Sequence, residues 1–362
     1  MNKKEYIKSV AFINREQEIE YLKNYLNEEP EGVLFIYGPK SSGKTTLLYK
    51  MIEQLKPGKR YDIKILNLRE VLISNYKDFI KIFFSVLDEK EEKAKSLFEI
   101  SAGIFKINRV IEQKLLKVEA DPFKVMKEEL IKLNKKNVQP LIIIDELQEL
   151  QEIYMNSQRQ LINELFNFFV AMTKESHLAH IIISSSDGYF IERIYENSRL
   201  RKTSGFYKID YLTKDDLFEW LNNLEKYSKI KNLILKEDQI EMVWGFLGGS
   251  CWEIQHLLSQ IMSSDFKTAI AKYKREKESE VRNAVAFSSD KKSILLLFKD
   301  KKKYLDEDEI SKKINLGEER IKELLTELVS GNILFFDPVD ALFYPQSKSI
   351  EYGIKRYFDK KV

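Results

Sequence analysis

The sequence predicts a three-layer α/β domain with a mostly parallel sheet, followed by a helical domain and a C-terminal winged helix. Strand-like and helix-like segments alternate up to residue 212, which is typical of α/β domains. Strand patterns then stop, and residues 290–350 read as three helices and a hairpin. The length of 362 residues fits two or three domains. We therefore assign a core to residues 1–212, a helical lid to 213–285 and a winged-helix domain to 286–362.

Composition predicts a soluble cytoplasmic protein. Sixty Lys and Arg residues are balanced by 57 Asp and Glu, so net charge does not indicate an acidic partner. A single cysteine, Cys251, excludes an internal disulfide and fits a reducing compartment. We expect no signal peptide and no membrane association, because the sequence has no apolar run of the length either requires.

The glycine-rich stretch from Gly38 to Thr46 fits the pattern G-x-x-x-x-G-K-[ST], whose backbone amides bind nucleotide phosphates. An apolar segment of strand length, Val33–Tyr37, precedes it, and residues 47–52 read as the first turns of a helix. The motif therefore has the strand–loop–helix context that phosphate binding requires. The predicted nucleotide-binding residues of this loop are Gly38, Pro39, Lys40, Ser41, Ser42, Gly43, Lys44, Thr45 and Thr46. Lys44 supplies positive charge to the phosphates, and Thr45 offers a hydroxyl to Mg²⁺.

A second decisive stretch lies about 100 residues after the phosphate loop. Leu141–Ile144 is a run of four aliphatic residues, as expected for a parallel strand buried on both faces. Asp145 and Glu146 follow at its carboxyl end, where ligands bind in open α/β sheets. We predict that Asp145 holds the metal and that Glu146 acts as general base on a water molecule. A glutamate in this position favours ATP hydrolysis, and the sequence lacks an Asn-Lys-x-Asp motif for guanine.

A further buried strand, residues 179–183, ends in Ser184–Ser186. These hydroxyls, Ser185 among them, either contact the γ-phosphate or attacking water or form an ordinary polar strand exit. Arg193, Arg199 and Arg201 follow and are candidates for the positive charge that phosphoryl transfer requires; the alternative for each is a surface salt bridge.

The remaining segments of the core follow the alternation. We predict that Asn14 caps the first helix and that Asp121 caps a helix running to about Leu133. Residues 88–95 form a charge run that we expect to be solvated. The other expected elements are strands at 62–68 and 206–212 and helices at 79–87 and 158–173.

Together these segments resemble the archaeal ATPase family, within the STAND class of P-loop ATPases related to AAA+ proteins. The matching stretches are residues 12–16, 38–45, 141–148, 184–186 and 248–249. The resemblance implies an additional-strand core with sheet order 2-3-4-1-5, a helical lid and a winged helix. It also implies that Asn14 and Arg15 lie on the adenine side and that Arg201 acts on the γ-phosphate.

Two departures from the family pattern affect these expectations. The lid sequence Gly248-Gly249-Ser250-Cys251 lacks the proline that usually follows the glycine pair. The Gly-Arg before the fifth strand is replaced by Leu200-Arg201. The first departure affects the expected coupling of the lid to nucleotide. The second affects the expected role of Arg201.

The sequence thus predicts a slow, Mg²⁺-dependent ATPase that binds ATP and ADP and acts as a switch for a protein partner, with oligomerisation possible when ATP is bound. Two alternatives remain: a DNA-associated ATPase and a nucleotide-bound scaffold with negligible turnover. DNA binding is disfavoured because residues 290–362 carry 15 Lys and Arg against 14 Asp and Glu. The four lysines of Lys299–Lys303 form the one basic patch.

Overall fold

The core is built on a five-stranded, all-parallel sheet. The computed structural model describes residues 12–55, 60–86, 104–155, 159–196, 203–228, 230–299 and 304–359. The five sheet strands, in chain order, are β1 Val33–Tyr37, β2 Tyr61–Asn67, β3 Gln139–Asp145, β4 His180–Ser185 and β5 Ser204–Lys208. Their spatial order is β2-β3-β4-β1-β5, which confirms the predicted 2-3-4-1-5 arrangement.

Strand β5 is shorter and earlier than the predicted 206–212. It pairs with β1, and the last paired residues are Tyr37 and Lys208. Ile209 still donates its backbone N–H to Tyr37 O at 2.7 Å, after which the chain turns across the start of the phosphate loop. Strand β5 ends where its partner β1 ends. An alternating sequence pattern alone does not show where such pairing stops.

Helices cover both faces of the sheet. The core helices are Glu16–Asn27, Lys44–Leu55, Tyr76–Phe83, Arg109–Leu116, Pro122–Asn134, Leu161–Val170 and Gly188–Glu196. Two short strand pairs accompany them: Phe84–Val86 with Phe105–Ile107, and Tyr154–Met155 with Arg159–Gln160. Asp121 caps its helix as predicted. The prediction for Asn14 as a cap is wrong: Arg15 occupies the cap position, and the Asn14 amide donates instead to Asp216 at 2.8 Å. The charge run 88–95 lies outside the described residues.

The segment after β5 is helical. Its helices are Lys214–Asn222, Leu224–Tyr227, Glu237–Leu247, Cys251–Ser263 and Phe266–Ala284. A separate apolar cluster centred on Trp220, Leu257 and Tyr273 holds them together. At its junction with the core, Leu212 N donates to Gly249 O, and a Cβ on Gly249 would lie 1.9 Å from Leu212 O. The second glycine of the pair is therefore required by close backbone contact.

The C-terminal segment has the predicted order of three helices and a hairpin, followed by a helix that we did not predict. Its helices are Ser289–Leu296, Glu307–Lys313, Glu318–Ser330 and Lys348–Asp359, and its hairpin strands are β6 Leu334–Asp337 and β7 Leu342–Pro345. The last helix packs along Phe266–Ala284, where a Cβ on Gly353 would lie 2.7 Å from Lys277 O. The helical spacing of Ile350, Ile354 and Tyr357 was the missed signal.

The hairpin of this segment packs directly on the core. Tyr189 stacks on Phe336, and a Cβ on Gly188 would lie 2.0 Å from Phe336 O. Buried Asp337 forms an ion pair of 2.9 Å with Lys208, the last residue of β5. Among the residues described, no helix is long and apolar enough to cross a bilayer.

Candidate nucleotide-binding site

Parallel pairing brings the predicted site residues to one edge of the sheet. β1 and β3 both flank β4, so their carboxyl ends lie side by side, with Tyr37 paired to Ser185 and Asp145 to Ser184. The phosphate loop leaves the first of these strands, and the acidic pair ends the second. Such an edge is where open α/β sheets bind ligands.

The phosphate loop has the backbone that the motif requires. Gly38 and Gly43 have φ angles of 148° and 95°, values open to glycine but strained for other residues. Gly38 also passes so close to the chain after β5 that a Cβ would lie 2.1 Å from Ile209 O. The helix that begins at Lys44 adds the positive end of its dipole. Pro39, Lys40, Ser41, Ser42, Thr45 and Thr46 complete the loop and the first turn of this helix.

Lys44 is folded back onto its own loop. Its Nζ donates to Gly38 O at 2.9 Å and to Pro39 O at 3.0 Å, and only 6% of the residue is exposed. Burial lowers the pKa of Lys44 to about 8, although the carboxylates of Glu146 and Asp145 oppose that shift. Two neutral carbonyls are weak partners for an ammonium group, so the side chain is ready to exchange them for phosphate oxygens.

Thr45 and Asp145 form the predicted metal pair. The Thr45 hydroxyl donates to Asp145 Oδ2 at 2.6 Å. The other oxygen, Oδ1, is buried and has no hydrogen-bond partner among the described residues. A buried carboxylate oxygen without a donor favours a cation beside it. One carboxylate and one hydroxyl, completed by phosphates and water, match the way proteins hold Mg²⁺.

Glu146 follows Asp145 in a left-handed backbone conformation, with φ 61°. Only 4% of the residue is exposed, and burial raises the pKa of its carboxyl group above the usual value. Two partners oppose that rise by favouring the charged form: the Gln148 side-chain amide donates to Oε2, and Arg69 lies 2.9 Å from Oε1. Glu146 is thus a buried carboxylate beside Asp145, with both oxygens engaged.

Ser185 contacts Gln148. Its hydroxyl donates to Gln148 Oε1 at 3.0 Å and accepts the backbone N–H of Asp187 at 3.0 Å. Ser186 Oγ lies 3.5 Å from Glu146 Oε1, at the limit of hydrogen bonding. The hydroxyls of Ser185 and Ser186 therefore belong to the network around Glu146, whereas buried Ser184 Oγ has no hydrogen-bond partner among the described residues.

Asn14 and Arg15 lie on the other side of the loop. Arg15 donates to Ser42 O at 3.2 Å and to Asp210 O at 2.7 Å, so it ties the loop to the chain after β5. Asn14 contacts Asp216, the third residue of helix Lys214–Asn222. The two residues thus join the amino-terminal segment, the loop and the helical segment after β5.

The C-terminal segment reaches the middle of the phosphate loop. In the orientation that satisfies both atoms of its amide, Gln346 accepts the Lys40 N–H at 2.7 Å and donates to Leu334 O at 3.3 Å. The Tyr211 hydroxyl lies between the two segments, 2.9 Å from Lys40 O and 3.0 Å from Gln346 O. No local pattern indicates this contact, because Lys40 and Gln346 lie far apart in the sequence.

The arginines predicted for the γ-phosphate are not placed. Arg199 and Arg201 lie outside the described residues, as does the side chain of Arg193. Arg69, which sequence reasoning missed, is the basic side chain found at Glu146. The signal for it was available: order 2-3-4-1-5 makes β2 the neighbour of β3, so residues just after β2 must lie near Glu146.

The outward face of helix Glu318–Ser330 is acidic. Its two basic residues are paired: Arg320 lies 2.9 Å from Glu323, and Lys322 lies 3.8 Å from Glu307. Glu318 and Glu319 are exposed at its amino-terminal end. Of the predicted basic patch, only Lys299 falls within the described residues, where it pairs with Asp359. Such a face would repel a phosphate backbone.

A phosphate loop joined to a buried Asp-Glu pair in a 2-3-4-1-5 sheet defines a P-loop ATPase fold related to AAA+ proteins. The protein-family model described as an ATPase domain predominantly from Archaea matches residues 12–257. The chain belongs to this archaeal ATPase family.

Relatives and solved structures agree with that assignment. Two uncharacterized ATP-binding proteins of Methanocaldococcus jannaschii are similar over nearly their whole lengths. MJ1076 is 32% identical over 97% of this chain and 100% of its own, and MJ1006 is 33% identical over 97% and 95%. Among solved structures, the Aeropyrum pernix ORC2 protein in its ADP form matches with a TM-score of 0.52 at 14% identity, covering 97% of this chain and 95% of that chain. This last likeness concerns the fold alone.

Proposed function

We propose that the protein hydrolyses ATP to ADP and phosphate with Mg²⁺ and uses the cycle as a conformational switch. The observation that carries hydrolysis is the buried Glu146 directly after Asp145, at the edge where the phosphate loop begins. A base is needed there because a water molecule must lose a proton as it attacks the γ-phosphate. The observation that supports a switch is the contact between Gln346 and the loop at Lys40.

Each site residue has a distinct task in this proposal. Lys44 leaves the carbonyls of Gly38 and Pro39 and places its charge on the β- and γ-phosphates. The backbone amides of the loop hold the phosphates in position. Asn14 and Arg15 lie toward the base of the nucleotide. Glu146 accepts the proton of the attacking water, and its burial keeps it a better base than an exposed carboxylate.

Thr45 and Asp145 would hold Mg²⁺, since the pair offers a hydroxyl and an otherwise unpartnered buried oxygen. The ion would neutralise charge on the transferred phosphoryl group. We propose that Arg201, across an interface formed when ATP is bound, supplies further positive charge.

Slow turnover is favoured by the ion pair between Glu146 and Arg69. A guanidinium N–H group of Arg69 occupies Glu146 Oε1, and an oxygen that already accepts a hydrogen bond is less available to a water proton. Arg69 is about half exposed, so this ion pair is a weak constraint that is readily broken.

The switch would operate through the docked C-terminal segment. Gln346 accepts a backbone N–H of the loop that is to bind phosphate, and Tyr211 bridges the same two segments. A change at the loop therefore directly alters a contact of the C-terminal segment, residues 289–359, which we call the hairpin domain. The acidic outward face of that domain disfavours DNA as the partner that reads the change and leaves a protein as our proposal.

Hydrolysis is tested by comparing two variants under single-turnover conditions. Glu146→Gln should retain ATP binding and lose roughly 100-fold or more in the rate of phosphate release, the range typical for loss of a general base. Glu149→Gln, on the exposed side of the same turn, is the matched control and should keep the wild-type rate. Unchanged turnover in Glu146→Gln would exclude this glutamate as the base. Tight ATP binding without wild-type turnover would instead identify a nucleotide-bound scaffold.

The switch is tested by small-angle scattering and mass measurement with ADP and with a non-hydrolysable ATP analogue. The proposal expects a nucleotide-dependent change in the distance distribution, with or without a change in mass. Identical profiles and masses in both states would contradict it.

A further inference from the structure

The side-chain network that ends β4 includes a residue with no role so far. Gln148 lies in the short 3₁₀ turn Leu147–Leu150, two residues after Glu146. Its amide joins two residues of the site: Nε2 donates to Glu146 Oε2, and Oε1 accepts from Ser185 Oγ. Ser185 is held in turn by the N–H of Asp187. A continuous chain of donors therefore runs from the backbone after β4 to the carboxylate of Glu146.

The direction of this chain is fixed by chemistry. A carboxylate only accepts hydrogen bonds, so the amide nitrogen must face Glu146 and the amide oxygen must face Ser185. The Ser185 hydroxyl has one proton, which it donates to that oxygen. Ser185 cannot give the same proton to a phosphate oxygen without releasing Gln148.

We propose that Gln148 is a positioning residue that orients the carboxylate of Glu146, and that Ser185 acts through Gln148. The inference rests on the proposed hydrolysis. Glu146 has a left-handed backbone, and its ion-pair partner among the described residues is the half-exposed Arg69. The amide is the less exposed of the two partners, and it comes from the same tight turn, so it is the one suited to fix the carboxylate.

The experiment compares Gln148→Ala, Gln148→Glu, Ser185→Ala and the Gln148→Ala/Ser185→Ala double variant. Gln148→Ala should reduce kcat by roughly 10- to 100-fold, the cost of a misplaced catalytic group, with ATP affinity unchanged. Gln148→Glu should not restore kcat, because an ionised carboxylate cannot donate to Glu146. Ser185→Ala should have a smaller effect on kcat, and none when added to Gln148→Ala. Additive effects would show that Ser185 acts on the substrate directly and would overturn the proposal, as would an unchanged kcat in Gln148→Ala.

A second measurement does not depend on turnover. With glutamate labelled by ¹³C at the carboxyl group, the Glu146 resonance is assigned by its loss in Glu146→Gln. Its chemical shift at fixed pH should change in Gln148→Ala, which removes a hydrogen bond to the carboxylate, and should be unchanged in Glu149→Ala. An unchanged chemical shift in Gln148→Ala refutes the inference even if hydrolysis holds, whereas a changed shift in a protein whose wild type shows no turnover refutes only the proposed function.

Discussion

The carboxyl end and the middle of the phosphate loop differ in what they contact. At its carboxyl end, Lys44 and Thr45 meet groups of the ATPase core itself: loop carbonyls and Asp145. In its middle, Lys40 meets Gln346 and Tyr211, which connect it to the C-terminal hairpin domain. In our proposal, the carboxyl end of the loop acts on the phosphates, and its middle carries the change to the hairpin domain. Variants at the carboxyl end and in the middle should therefore alter different properties.

The largest effect is expected at the carboxyl end. Lys44→Ala removes a charged donor to the phosphates, and hydrogen bonds to charged groups contribute about 1.5–3 kcal/mol. ATP affinity should therefore fall by roughly 10- to 100-fold, measured by calorimetry. Lys50→Ala removes a lysine of the same helix that pairs with Glu53 and should leave affinity unchanged. Equal affinities of wild type and Lys44→Ala would remove the basis for assigning chemistry to this end.

The docking of the hairpin domain is tested next, by Gly188→Ala. The added Cβ would lie 2.0 Å from Phe336 O, so the helix and the hairpin must move apart. Overpacking of this kind costs about 1–3 kcal/mol, which urea denaturation would detect. Gly245→Ala is the control, since its Cβ meets nothing within 4 Å and alanine favours the helix interior. A Gly188→Ala variant as stable as wild type would mean that the hairpin is not held against the core.

The pH dependence of binding in the alkaline range tests the pKa of Lys44. Its pKa of about 8 without nucleotide should rise when phosphates surround it, because they favour the charged form. Affinity is then highest below pH 8 and decreases as the pH rises through that value, by about 10-fold between pH 7 and 9. Calorimetry in buffers of different ionisation enthalpy should detect proton uptake on binding at pH 9. Flat affinity over this range would contradict the low pKa.

The same contrast separates what the sequence could predict from what it could not. Lys44 and Asp145 follow from short local patterns with a fixed physical purpose, and the sheet order follows from the family resemblance. Gln148 lies in the matched stretch 141–148, but its contacts do not follow from that pattern. Arg69 and Gln346 carry no pattern of their own, since their role depends on which elements become neighbours. Arg69 follows once the sheet order is known, because β2 and β3 are adjacent. The contact of Gln346 does not follow even then, because it depends on how two separately packed hydrophobic clusters dock.

The smallest effect, and the one that most sharpens the contrast, is expected for Gln346→Ala. The substitution frees the Lys40 N–H from its partner in the hairpin domain, so this donor no longer has to be released before it can face a phosphate. One neutral hydrogen bond contributes about 1 kcal/mol, which corresponds to roughly a 5-fold gain in nucleotide affinity. Glu319→Gln, on the exposed helix of the same domain, is the control and should leave affinity unchanged. If Gln346→Ala weakened binding, the hairpin domain would be supporting the loop, and nucleotide would tighten the docking of this domain on the core instead of loosening it.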